Sequence, residues 1–135
     1  MVALSPSPRL APDYTDRAYW AGTIKMSLSK LFILAVLHRG PMHGYEIARA
    51  VERTTRGCCS PTEGTIYPSL RDFEDGGYVT GVESVVAGRR RRVYTLTEKG
   101  RRACQVAWEA WLDATKALEE TGKAVVAGGR GACCP

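Results

Sequence analysis

The chain has 135 residues, with 19 Lys+Arg against 14 Asp+Glu, a formal net charge of +5 and 44% hydrophobic residues; that buries one core and is too little for two, which argues against a multidomain enzyme. Its longest apolar run, residues 31–37, is seven residues, far short of the roughly 18 a membrane-spanning helix needs. Residues 1–12 lack the basic and apolar regions of a secretory signal, so a cytoplasmic protein with no membrane partner is expected.

The first 26 residues carry Pro6, Pro8 and Pro12, then Tyr14, Tyr19, Trp20 and Gly22. They read as an N-terminal arm whose aromatic side chains dock on the core or on a partner, because such clusters are uncommon on monomer surfaces. Ser27 or Ser29 is the expected N-cap of a first, largely buried helix that stops at His38-Arg39-Gly40-Pro41. A second, amphipathic helix spans residues 43–54, with Tyr45, Ile47, Ala48 and Val51 on its apolar side. Residues 55–64 form a connector rich in turn residues. In the third helix Pro68 decides the start: its ring clashes with the carbonyl four residues back, so the helix is placed from Thr65 to Asp75, closed by Gly76-Gly77. Ser60-Pro61-Thr62-Glu63 is left as a separate short turn.

Two β-branched-rich segments follow, residues 78–86 and 91–97, joined by Ala87-Gly88-Arg89-Arg90 as a hairpin turn. Thr97 is the N-cap of a long helix reaching Thr121 and ending at Gly122. Cys104, Trp108, Trp111, Thr115 and Leu118 recur along it at spacings of four, three, four and three. The domain before it leaves too little surface to cover this stripe, so a second subunit is expected there, with Cys104, Trp108, Trp111 and Leu118 as dimerisation residues. The expected organisation is an arm over 1–26, a three-helix-and-hairpin domain over 27–96, a dimerisation helix over 97–121 and a flexible, Cys-containing tail over 122–135.

Three short helices, a basic hairpin and net positive charge describe a mainly helical α+β protein, a winged helix-turn-helix whose third helix enters the DNA major groove. Arg89, Arg90, Arg91 and Arg92 place guanidinium forks at the expected hairpin tip, where they match phosphate oxygens. On the third helix Thr65, Tyr67, Ser69 and Arg71 have hydrogen-bonding reach, whereas Ile66, Leu70 and Phe73 read as its buried face.

Four segments, Leu31-Phe-Ile-Leu-Ala-Val-Leu37, Gly40-Pro-Met-His-Gly-Tyr-Glu-Ile47, Gly64-Thr-Ile-Tyr-Pro-Ser-Leu70 and Tyr94-Thr-Leu-Thr-Glu-Lys-Gly100, resemble the PadR family of transcriptional regulators. The resemblance covers residues 27–118. It implies a homodimeric winged-helix repressor that binds an inverted-repeat operator in double-stranded DNA and is released by an effector. By position it implies Tyr45, Thr65 and Tyr67 as DNA contacts and Arg89 to Arg92 as the wing contact.

The five cysteines are an odd number, four of them in adjacent pairs, Cys58-Cys59 and Cys133-Cys134. That is no disulfide framework, and reduced adjacent thiols suit soft ions: trivalent arsenic or antimony, Hg(II) or Cd(II). A small inorganic effector on Cys58 and Cys59, with a third sulfur from Cys133 or Cys134, is therefore expected, with Arg56 favouring the thiolate and no permanently bound cofactor. Core packing of the thiols and redox sensing remain open beside it. So does a flat aromatic effector at a dimer interface lined by Trp108 and Trp111. A metal carrier that ignores DNA leaves the arginines unexplained. His38 and His43 read as a helix cap and a turn residue rather than ligands. The sequence patterns of metalloproteases, serine hydrolases and phosphate-binding loops are missing, so no enzymatic activity is expected.

Overall fold

In the computed structural model, which describes residues 12–133 with side chains through residue 128, the first helix, α1 (Arg17–Leu37), starts well before Ser27. Asp16 caps it, accepting from the Ala18 N–H at 2.9 Å, so much of the expected arm is helical. Ser27 and Ser29 are interior residues whose hydroxyls donate to the carbonyls of Ile24 and Lys25 at 3.0 and 2.7 Å. That local bond satisfies a serine inside a helix and makes it useless as a boundary marker. At 21 residues and a mean hydropathy of 1.4 over its most apolar window, α1 is long and apolar enough to cross a membrane, which the seven-residue run does not suggest. Its second half is instead the centre of the protein: Leu31, Ile33, Leu34, Val36 and Leu37 are buried.

Strand β1 (Met42–His43) leads directly into α2 (Gly44–Thr54). Two residues are too few for a period-two signal, so the sequence gives no hint of this strand. Helix α3 (Glu63–Asp75) begins at Glu63 and not at Thr65, with Pro68 inside it and no separate turn before it. The Thr62 carbonyl accepts from both Thr65 and Ile66, at 2.9 and 2.8 Å, which pins the first turn. Pro68 then removes only the bond to the carbonyl of Gly64, which is exposed and open to water. The expected glycine stop is present: Gly77 has φ +79° and the Tyr78 N–H reaches the Phe73 carbonyl at 2.8 Å.

Strands β2 (Val79–Val86) and β3 (Arg89–Leu96) pair antiparallel up to Val86 opposite Arg89. Their turn is Ala87-Gly88 alone, both at positive φ (50° and 78°), the two-residue turn whose twist matches that of the strands. Arg89 to Arg92 therefore lie within β3 and not at a loop tip. The sheet order is β1-β3-β2. Thr97 caps α4 (Glu98–Cys133), accepting from the Gly100 N–H at 3.1 Å. At 36 residues, α4 is about 54 Å long and runs through Gly122, so residues 122–133 are helical where a flexible tail was expected; a lone glycine costs a helix only about 1 kcal/mol.

One core joins these elements: Ile33, Val36 and Leu37 of α1, Ile47 and Val51 of α2, Ile66 and Leu70 of α3, Val79, Tyr94 and Leu96 of the sheet, and Cys104 of α4. α4 approaches the sheet so closely at Gly100 that a Cβ there meets the Tyr78 carbonyl and the Leu96 side chain. Gly100→Ala is expected to destabilise the fold by about 1–3 kcal/mol, as overpacking does, measured by urea unfolding at fixed protein concentration. An unchanged midpoint contradicts this close approach.

Candidate nucleic-acid interface

The site is assembled where β1 passes into α2. His43 caps α2, its Nδ1 accepting from the Glu46 N–H at 3.3 Å while Nε2 lies 2.6 Å from Glu46 Oε1. Nδ1 makes the cap bond, and the contact at Nε2 holds the ring in that orientation. The next residue, Gly44, is where Tyr67 of α3 comes in: a Cβ at Gly44 would stand 2.8 Å from the Tyr67 ring. The absence of that side chain lets a bulky, exposed phenol on α3 lie against the start of α2, beside the more exposed Tyr45. Arg49, one turn on, sits over the Tyr45 ring at 5.6 Å with a 3.4 Å bond to its hydroxyl. A cleft of about 160 Å³ is lined by His43, Tyr45, Tyr67, Arg90, Arg91 and Arg92. Three elements distant in sequence thus bring two phenols and a run of guanidinium groups to one surface.

The expected DNA contacts divide. Tyr45, Thr65, Tyr67, Arg71, Arg89 and Arg90 are exposed and Arg91 partly so. Ser69 is buried, 8% exposed, on the core side of α3, one residue before the fully buried Leu70, so it has no reach to a base. Arg92 is half-buried and committed elsewhere. It forms an ion pair with Glu74 of α3 and a longer one, 3.5 Å, with Glu83 of β2. Its guanidinium covers Gly81, where a Cβ would collide with it. The Glu74 hydrogen bond, the largest effect on it, holds the Arg92 charge above its ordinary range. Arg92 therefore ties the wing to α3 through Glu74. The partners are 18 positions apart, and no local pattern in the sequence points to the pair.

The cysteines are placed differently from one another. Cys58 is exposed and Cys59 is buried. The Cys59 backbone is fastened to Thr55, whose hydroxyl oxygen accepts from its N–H at 3.0 Å. Burial pushes the Cys59 thiol up, and adjacent Cys58 adds to this; the expected thiolate-favouring influence of Arg56 does not govern that sulfur. Among the described residues no group of three or more His, Cys, Asp or Glu side chains gathers as a metal site. Cys133 lies in the last turn of α4 with its side chain outside the described residues, and Cys134 lies outside them altogether.

Of the four expected dimerisation residues, Cys104 is buried inside its own chain, and Trp108 packs edge-on against Phe32 of α1 with centroids 5.3 Å apart. Trp111 is half-buried. Leu118 is 64% exposed, and Val106, Leu112, Val125 and Val126 are also open along α4.

Two helices packed at the end of a third, with a two-stranded hairpin beside the second of them, define a winged helix-turn-helix protein. Residues 33–106 match the family model described as the transcriptional regulator PadR-like family, more than half of the chain, and the chain belongs to that family. It is 32% identical over 95 residues to transcriptional regulator Rv3488 of Mycobacterium tuberculosis, covering 70% of this chain and 82% of that one. It is 37% identical over 71 residues to transcriptional regulator YqjI of Escherichia coli, covering 53% of this chain and 33% of that one. The chain thus spans about a third of the length of the Escherichia coli relative. A solved PadR family transcription regulator from Clostridium difficile superposes with a TM-score of 0.60 at 25% identity, over 70% of this chain and 97% of that one.

The burial pattern predicts a graded thiol reactivity, because the thiolate is the attacking species and needs access. In a Cys133→Ser/Cys134→Ser background, a disulfide reagent is expected to label Cys58 rapidly and Cys59 and Cys104 only on unfolding. Equal, fast labelling of Cys58 and Cys59 contradicts the placement of Cys59 in the core.

Proposed function

We propose that this chain is a transcriptional repressor that binds operator DNA as a homodimer in the cytoplasm. One observation carries the reading: Tyr45, Tyr67, Arg90 and Arg91 converge on one exposed surface beside α3. Phenol hydroxyls and guanidinium forks are donors suited to phosphate oxygens and base edges, and no acidic side chain lines that cleft. The exposed apolar residues of α4 supply the surface for a second copy, and a two-fold pair would set its α3 helices about 34 Å apart, one DNA turn.

For the effector we assign a thiophilic species, trivalent arsenic or antimony or a soft divalent ion, taken by Cys58 and Cys59 with Cys133 or Cys134 as a further sulfur. The support is mechanical. Cys59 sits in the core between the end of α2 and the start of α3. Drawing its sulfur onto an ion withdraws it from the core and shifts the segment that sets α3. A second reading rests on a separate cleft of about 460 Å³ between α1 and α4, whose lining includes Arg101, Arg102, Cys104 and Trp108 together with one carboxylate, Glu98. An aromatic acid would place its ring on Trp108 and its carboxylate on the arginines.

The test is a fluorescence-anisotropy titration of reduced protein on its own promoter duplex, with a shuffled duplex as control. Binding tighter on the promoter by about 10³ or more is expected; equal binding to both contradicts an operator-specific regulator. Arsenite, antimonite, Hg(II), Cd(II) and a phenolic acid are then added in turn. Release by a thiophilic species, lost in Cys58→Ser/Cys59→Ser, is the expected result. Release by the phenolic acid alone, unchanged in that variant, overturns the thiol reading in favour of the α1–α4 cleft.

A further inference from the structure

Beyond the Tyr45–Tyr67 surface runs a second groove that the sequence does not single out. Tyr45, Arg49 and Arg53 are spaced four apart on α2 and so form one row along it. Facing them across a groove of about 500 Å³ are Arg89 and Arg91 of β3, two apart and hence on one side of the strand. Four arginines therefore share one groove with a single acidic residue, Glu46, whose carboxylate lies 2.6 Å from His43 Nε2. Among the described residues none of these four arginines forms an ion pair. Four guanidinium charges against one carboxylate leave an excess of like charge that repels itself, which an anion lying between them relieves.

We propose that this groove is a phosphodiester track: Arg49 and Arg53 of α2, together with Arg89 and Arg91 of the wing, hold one DNA strand beside the duplex segment that α3 reads. The proposal rests on the DNA-binding reading and extends it to two α2 residues. Tyr45 lines both this groove and the smaller cleft with Tyr67, so a strand in the groove is continuous with the surface at α3. The row on α2 and the alternate residues of β3 give the groove two walls of guanidinium forks, which pair bidentately with phosphate oxygens. An open, two-walled groove suits an extended polyanion. Its contribution is independent of base sequence, because phosphates carry none.

The test uses the full chain and a short fluorescein-labelled duplex of mixed sequence, with affinity measured between about 50 and 200 mM salt. Each phosphate neutralised adds about 0.9 to the slope of log affinity against log salt, so Arg49→Gln/Arg53→Gln is expected to flatten the slope by about 1.8 per protomer engaged, or about 3.6 for the dimer. Arg49→Lys/Arg53→Lys, which keeps the charge, should retain the wild-type slope. Both positions are exposed and glutamine is a good helix former, so circular dichroism should show the glutamine variant folded as the wild type. A wild-type slope in the folded glutamine variant overturns the track while leaving DNA binding intact. A change in sequence preference with an unchanged slope likewise overturns it, by making these arginines base readers. A wild-type chain that binds no duplex at any salt overturns both readings together.

Discussion

The register of β3 is the constraint on which the rest depends. As the central strand it pairs with β1 on one side and β2 on the other, placing His43 opposite Val93 and Gly81 opposite Tyr94. The first pairing fixes where the chain enters α2, since His43 is both the last residue of β1 and the N-cap of α2. The second fixes the wing. Alternation along the strand sends Tyr94 and Leu96 into the core and leaves Arg92 to cross from β3 to Glu74. A slip of one residue would turn Tyr94 and Leu96 to solvent and bury Thr95 in their place, so the register is strongly specified.

From that frame the surface chemistry follows. Gly44 admits the Tyr67 ring, Arg92 ties the wing to the third helix, and the positive φ of Ala87 and Gly88 folds the strands back with no loop between them. The arginines are consequently presented from a strand, with alternating directions, and not from a mobile tip. Such a surface is ordered before a partner arrives, which lowers the entropy lost on binding. The connector holding Cys58 and Cys59 is part of the same frame, because the buried Cys59 and its bonds to Thr55 join the end of α2 to the approach to α3.

Much of this was legible in the sequence where a single local signal dominated. The α2 periodicity, the Gly76-Gly77 stop, the Thr97 cap and the winged-helix class all rest on such signals, and the family match bears out the last. Boundaries were missed where a residue has two local uses. Ser27 and Ser29 bond back to the preceding turn instead of capping, Pro68 sits inside α3 because Thr62 secures the first turn, and Gly122 passes within α4. The site was legible in its residue types and not in their roles. Ser69 faces the core and Arg92 a carboxylate because of contacts between segments far apart in the chain, and no spacing rule encodes these. By periodicity alone Arg49 and Arg53 are simply polar residues of an amphipathic helix, since the wing opposite them is brought there only by the sheet.

The most direct measurement is a backbone amide NMR titration of the full chain with duplex DNA carrying its promoter sequence. The arrangement of α2, α3 and β3 predicts the largest shifts at residues 44–45, 65–67 and 89–91, three segments moving together as one surface. Shifts confined to α1 and α4, with those three segments unmoved, would contradict it.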